Sequence, residues 1–481
     1  MGDPVLKMES LGRKVFPLLA AFLMMGAQLL VQPIIGLSDN GDYFNVTAPY
    51  QLEPEPRYET TRYFTHIVPR WFYDTSVPEK ARLLTSEIWV VRPLVIVTRR
   101  FFDGVFDLRW MGLVHMLILL AAMVAVEPVI SRLPRPRQLL VWAALIVVFC
   151  DATYTAHLNS FYMDAASFVW LMLAAALYVR FVAMPGPSLA TAIGFVVVTL
   201  LFLTSKLQHA YLFPAFVAVL VFDRRFRQVL PLPVWVVSIL ATVGVTLPMF
   251  DNAPAGYGAS AAFNVVFDDL LENNDPQEVL RHFGLPPELE SQKGLNGFSP
   301  NSALRDPRYR DLLLANLTHG KLLHFYLKRP DEMFRLIGFA LTECSREREQ
   351  GMGNFAPDVG RAPREQSGAY AFYSDFKRFV FYPRPWLYGP FLAAVMLGVL
   401  RLGWLRTPYA LPGLLAVSAM AAFEFGVSAL ADVAETDRHL FLFRAMQDLL
   451  LVSLVGLLLL PKTERGAVAS EPLRPSSRQS G

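Results

Sequence analysis

Apolar residues gather into about ten runs, separated by polar joints rich in Arg and Pro: 15–37, 110–131, 138–153, 164–183, 188–205, 208–222, 229–250, 386–403, 408–432 and 439–460. A helix of about 20 such residues crosses the ~30 Å hydrocarbon layer of a bilayer, and most of these runs reach that length, with 138–153 and 208–222 the shortest. The pattern predicts an all-α polytopic membrane protein of about ten transmembrane helices. Composition agrees: 54% of the chain is hydrophobic and only 18% charged, whereas a soluble chain carries close to a quarter charged residues. Lys7, Arg13 and Lys14 precede the first run as in a signal peptide. That run is too long for one and lacks a small-x-small cleavage site, so it reads as an uncleaved span.

Charge then orients the spans. With the N-terminus inside, the inner joints hold Arg132, Arg135 and Arg137, then Arg180, then Arg224, Arg225 and Arg227, then Arg401 and Arg406. The tail adds Lys462, Arg465, Arg474 and Arg478. Every inner joint is basic, as the positive-inside rule requires, and both termini are expected in the cytoplasm. The net charge of +3 gives no footprint for nucleic acid, and Cys150 and Cys344 imply no disulfide framework.

Two long segments fall outside under this topology. The first, 38–109, contains Arg70-Trp71-Phe72-Tyr73 and the stretch from Glu87 to Pro93, both expected as helices lying in the membrane interface. The second, 251–385, is expected as a mainly helical extracytoplasmic domain, its best helical stretch running from Lys321 to Cys344 with a break at Lys328-Arg329-Pro330. It divides an N-terminal transmembrane module, 1–250, from the C-terminal helices, 386–460; a disordered cytoplasmic tail, 461–481, is expected to follow.

Polar residues collect at the outer ends of the spans. The first run leads into Ser38-Asp39-Asn40-Gly41-Asp42-Tyr43, where Gly41 allows a tight turn that aims two carboxylates together. Asn159, Tyr162 and Asp164 follow the third run; Lys206 and His209 join the fifth and sixth; Glu435, Asp437, Arg438 and His439 join the last two. Lys206 and Arg438 oppose the topological bias, which suggests an anionic ligand at the interface. The simpler alternatives pair Arg438 with Glu435 or Asp437 and let Lys206 reach outward to water. Asp39 and Asp42 also offer hard oxygen ligands for a divalent cation, Mg²⁺ or Mn²⁺. Glu424, Arg444 and Asp448 fall within spans, the last two spaced to pair as i,i+4 neighbours; such charges would also suit a transporter. No phosphate-binding loop, dinucleotide fingerprint or local Ser-His-Asp signature is present.

Four stretches resemble bacterial glycan-biosynthesis hexose transferases of the WsfD type, and through them the GT-C class of integral-membrane glycosyltransferases. They are Ser-Asp-Asn-Gly-Asp-Tyr at 38–43, Asn-Ser-Phe-Tyr-Met-Asp at 159–164, Gly-Asn-Phe-Ala-Pro-Asp-Val-Gly at 353–360 and Glu-Thr-Asp-Arg-His-Leu-Phe-Leu-Phe at 435–443. Members often carry Glu where this chain has Asp164. The resemblance implies transfer of a hexose from a polyprenyl-phosphate-linked donor to a cell-surface glycan or lipid-linked acceptor on the outer face of a bacterial inner membrane. Asp39 and Asp42 would then be the catalytic acids, and Asn40, Asn159, Tyr162, Asp164, Lys206, His209, Glu435, Asp437, Arg438 and His439 the substrate-binding residues. A flippase for lipid-linked sugars and a polysaccharide polymerase or ligase are the competing readings.

Overall fold

The computed structural model describes residues 4–59, 62–76, 84–186, 188–252 and 256–460, and the chain is mostly helical. The expected tail 461–481 lies outside the described residues. Among those described, six helices are long and apolar enough to cross a membrane: Arg109–Ile130, Met163–Ala183, Leu232–Asp251, Pro385–Arg406, Pro408–Leu430 and Thr436–Leu459. A seventh is added if Arg135–Phe149 and Ala152–Leu158, bent by 59° at Cys150-Asp151, form one broken span. Val15–Leu29, Leu189–Leu203 and Leu207–Phe222 are apolar but shorter. Each of the ten apolar runs therefore contains a helix, and six to seven of these helices meet the length of a span.

Met163–Ala183 is the most enclosed of the six. It packs between Arg109–Ile130 and Leu189–Leu203, while Phe441–Leu459 packs on Pro385–Arg406 and Pro408–Leu430. These contacts build two adjoining apolar cores, one around Phe202, Leu203 and Leu442, the other around Met116, Phe149 and Phe168.

Two expectations are corrected. The fold is not purely helical: Leu52–Pro54, Arg70–Tyr73 and Val105–Asp107 form a three-stranded antiparallel sheet, with Trp71 opposite both Pro54 and Phe106. Arg70–Tyr73, expected as an interfacial helix, is its central strand; Trp71 is buried and Phe72 faces out, the two-residue alternation of a strand. Secondly, the first helix stops at Leu29 rather than 37, and 30–37 runs on irregularly through Pro33. The break expected at Lys328-Arg329-Pro330 does form, dividing the stretch into His319–Lys328 and Pro330–Cys344. The expected helix after Glu87 does form, as Ile88–Phe101, burying Val90, Val91, Val95 and Thr98 and exposing Trp89, Ile96 and Phe101.

The sheet seats the first loop. Tyr43, Trp71 and Phe106 close around Phe161, with ring centroids 5.1–5.5 Å from it. The acidic turn is thereby fixed against the start of Met163–Ala183.

Candidate functional site

The turn at 38–43 is built by its own side chains. Asp39 Oδ1 accepts the Gly41 and Tyr43 amides at 2.7 and 3.2 Å, and Asn40 Oδ1 accepts the Asp42 amide at 2.9 Å. Gly41 has φ +110°, a conformation that an L side chain resists. Tyr162 ties the turn down: its hydroxyl donates to the Ser38 carbonyl and accepts the Asn40 amide, each at 2.8 Å. On the other side Ser38 N–H donates to the Gly353 carbonyl at 3.0 Å, and Gly353 N–H to Ser38 Oγ at 3.0 Å. Gly353 passes so close to the first loop that a Cβ there would lie 1.9 Å from the Thr65 carbonyl oxygen. Asn40 Nδ2 reaches Glu435 Oε2 at 2.6 Å. All four sequence stretches, from 38 to 443, thus meet at one turn.

Folding separates the two turn carboxylates. Asp39 is buried beneath the turn, with the Arg62 guanidinium 3.9 Å away, and burial pushes its pKa up to about 6. Asp42 is 40% exposed and opens onto a cavity of about 840 Å³. Arg438 is the hub of that wall. Its Nη2 lies 2.8 Å from Asp42 Oδ2, its Nε 2.8 Å from Glu435 Oε2 and its Nη1 3.8 Å from Asp164 Oδ2. Lys206 is buried, not extended to water, and its Nζ lies 3.0 Å from Asp164 Oδ1. His439 Nε2 faces Asp432 Oδ2 at 3.9 Å. Burial also raises Asp432 to about 6, against the hydrogen bonds it accepts from Asn264 Nδ2 and the Ala434 amide.

Of the sequence-derived residues, Asn40, Asp42, Lys206, Glu435, Arg438 and His439 line the cavity. Asp164 stands just behind the two cations. The rest serve the scaffold in this structure. Asn159 is buried, its amide holding the Leu29 and Ile35 carbonyls at 2.9 and 2.8 Å. His209 bonds the Ser167 and Ser205 hydroxyls, and Asp437 accepts the Gln350 amide. Sequence reasoning left Asp432, Tyr257, Ser260, Asn296 and Ser299 out of the site, though all line the cavity. Only Asp432 carried a signal, its place in the same short joint as Arg438.

Phe64, Leu84, Met163, Leu207 and Met249 add apolar surface to the lining, beside the polar Asn45, Asn252 and Asp268. The chamber therefore offers both charged and apolar side chains to a ligand. Asp39 is engaged by the turn amides and Asp42 by a guanidinium. Among the described residues no three His, Cys, Asp or Glu side chains gather as ligands.

The mid-span charges also have partners, and Arg444 and Asp448 do not pair with each other. Arg444 Nη2 meets Glu349 Oε1 at 2.8 Å. Asp448 takes Lys377 Nζ at 3.1 Å and the Tyr154 and Tyr373 hydroxyls at 2.6 Å each. Glu424 accepts from Gln208.

Residues 5–467 match the family described as YfdI N-terminal transmembrane domain. No curated protein and no solved structure matches the chain.

Proposed function

The chain belongs to the YfdI N-terminal transmembrane domain family, and from that premise we propose that it is a membrane glycosyltransferase moving a hexose from a polyprenyl-phosphate donor to a glycan or lipid-linked acceptor. One observation carries the reading: a first-loop carboxylate, Asp42, shares a single cavity wall with Arg438 and Lys206, two cations that short outer joints rarely keep. Family membership supports a membrane protein of this kind. The donor, the acceptor and the WsfD-like resemblance are part of the proposal.

The chemistry follows from the geometry. The acceptor hydroxyl attacks the anomeric carbon as Asp42 takes its proton, and the prenyl phosphate leaves with the bonding pair. Arg438 and Lys206 donate hydrogen bonds to the phosphate as its charge grows. Three carboxylates, Asp42, Asp164 and Glu435, pair with these two cations, and Asp432 adds a fourth negative charge that feels Arg438. Net field therefore does not draw the phosphate in. It exchanges with Asp42 for the Arg438 guanidinium, which frees Asp42 as the base, and the apolar lining residues shield the first isoprene units. Asp39 holds the turn.

In this proposal all ten apolar helices cross or enter a bacterial inner membrane, both termini are cytoplasmic, and 251–385 forms an extracytoplasmic domain over the cavity. Hexose transfer in membranes supplied with labelled polyprenyl-phosphate hexose tests the reading. Asp42→Asn is expected to abolish transfer while Asp39→Asn keeps most of it. Parental rates in Asp42→Asn refute the assignment.

A further inference from the structure

The helix Phe372–Phe381 has two faces with different partners. On the inner face Tyr373, Ser374, Lys377 and Phe381 are buried. The outer face carries Phe372, Phe376 and Phe379, 77, 57 and 78% exposed. Their i, i+4, i+7 spacing places three large rings in one stripe. A stripe this apolar is costly in water, and no part of the described chain covers it.

Both ends of the helix are fixed to the ends of apolar helices. At its start the Tyr373 and Ser374 amides donate to Asp151 Oδ2 at 2.9 and 3.1 Å, and Asp151 stands at the break that ends Arg135–Phe149. At its finish Phe381 packs on Tyr388 and Phe391, ring centroids 4.9 Å apart in each case, in the first turn of Pro385–Arg406. A helix of ten residues, about 15 Å long, is therefore laid along the rim of the bundle, at the level where two apolar helices end. Trp386, 68% exposed, continues the aromatic row at that level, and Arg378 and Arg384 flank it with positive charge.

From this placement we infer that Phe372–Phe381 is a membrane-seated helix, its phenylalanine stripe inserted among the acyl chains and its arginines at the headgroups of anionic lipid. Continuity with the lipid boundary of Pro385–Arg406 selects the bilayer as occupant, and aromatic rings with Arg at the margin are the side chains that settle at that depth. The inner face turns this seating into a constraint. Lys377 Nζ holds Glu347 Oε2 at 2.8 Å, and Glu347 begins the loop that runs through Glu349 and Gln350 to Gly353 under the acidic turn. The lipid surface thereby bears, through this loop, on the acidic turn that Gly353 holds at Ser38. The inference stands on packing alone, independent of glycosyl transfer.

Spin labelling tests it directly. Cys150 and Cys344 are both buried, so Phe372→Cys, Phe376→Cys and Phe379→Cys can be labelled singly in the full chain. Each is reconstituted in nanodiscs containing phosphatidylglycerol and compared with Glu288→Cys on the exposed part of 251–385. Collision with oxygen relative to a water-soluble nickel chelate is expected to be several-fold higher at the three stripe positions than at the control. Equal ratios at stripe and control overturn the inference. So do labels shielded from both reagents and broadened by spin–spin coupling, which identify a second copy as the occupant. Elution of each variant at the parental volume shows that it has folded.

Discussion

Two clusters of charge in this molecule use the same residue types for opposite ends. Around Arg438 the cluster opens on one side: Asp42 is 40% exposed, the acids outnumber Arg438 and Lys206, and the group meets an 840 Å³ chamber. Around Lys377 the groups are closed. Lys377, Glu347 and Asp448 are nearly inaccessible, their ion pairs are 2.8–3.1 Å, and three tyrosine hydroxyls, of Tyr154, Tyr373 and Tyr388, complete the set. Charge inside a membrane bundle is therefore not by itself a functional sign. What distinguishes the site is an ion pair that a ligand can reach and exchange.

The comparison breaks most visibly through substitutions that leave shape alone. Asp42→Asn is expected to lower transfer about 100- to 10,000-fold, as loss of a general base does, with no change in melting temperature by scanning fluorimetry. Lys377→Met is expected to do the reverse. Leaving Glu347 and Asp448 buried without their cation costs about 3–5 kcal/mol, read as a large fall in melting temperature, while the residual folded protein keeps its KM. A parental melting temperature for Lys377→Met would remove the distinction between the clusters.

Asn159→Ala sharpens the line between scaffold and site at smaller scale. The Leu29 and Ile35 carbonyls lose their donor, at about 1–3 kcal/mol each. Stability is expected to drop while the ratio of rates for different acceptors stays fixed; a shift in acceptor preference would return Asn159 to the binding site.

The smallest effect concerns Asp39. Its folded pKa of about 6 lies above the ordinary carboxylate value of 3.8. Its contribution to stability is therefore complete below about pH 4 and is lost as pH rises through 6, and is at most about 3 kcal/mol. Asp39→Asn retains an oxygen for the Gly41 and Tyr43 amides, so a flatter stability profile between pH 4 and 7 is expected in thermal denaturation, with transfer close to parental. A profile identical to that of the parent would mean that Asp39 does not titrate there.

Much of this was legible in the sequence, and the failures share a cause. Hydropathy located every apolar helix because lipid contact depends on local composition. The scarcity of cations in outer joints singled out Lys206 and Arg438 for the same reason. Arg70–Tyr73 misled because aromatic and basic residues suit an interfacial helix and a half-buried strand alike, and only its neighbours at 52–54 and 105–107 decide between them. Arg444 and Asp448 have the spacing of a helical pair, yet their partners come from Glu349 and Lys377, distant in sequence. Asp39 and Asp42 looked equivalent until the turn amides and Arg438 told them apart.

Photolabelling is the most direct test of the central claim. A polyprenyl-phosphate hexose with a diazirine on its first isoprene unit would be irradiated with membranes holding the parent or Arg438→Gln, and the adducts mapped by mass spectrometry. The account predicts parental adducts on the apolar lining residues, at Met163, Leu207 or Met249, and their loss in Arg438→Gln at matched expression. Undiminished labelling of those residues in Arg438→Gln, or adducts confined to the Lys377 cluster, would contradict it.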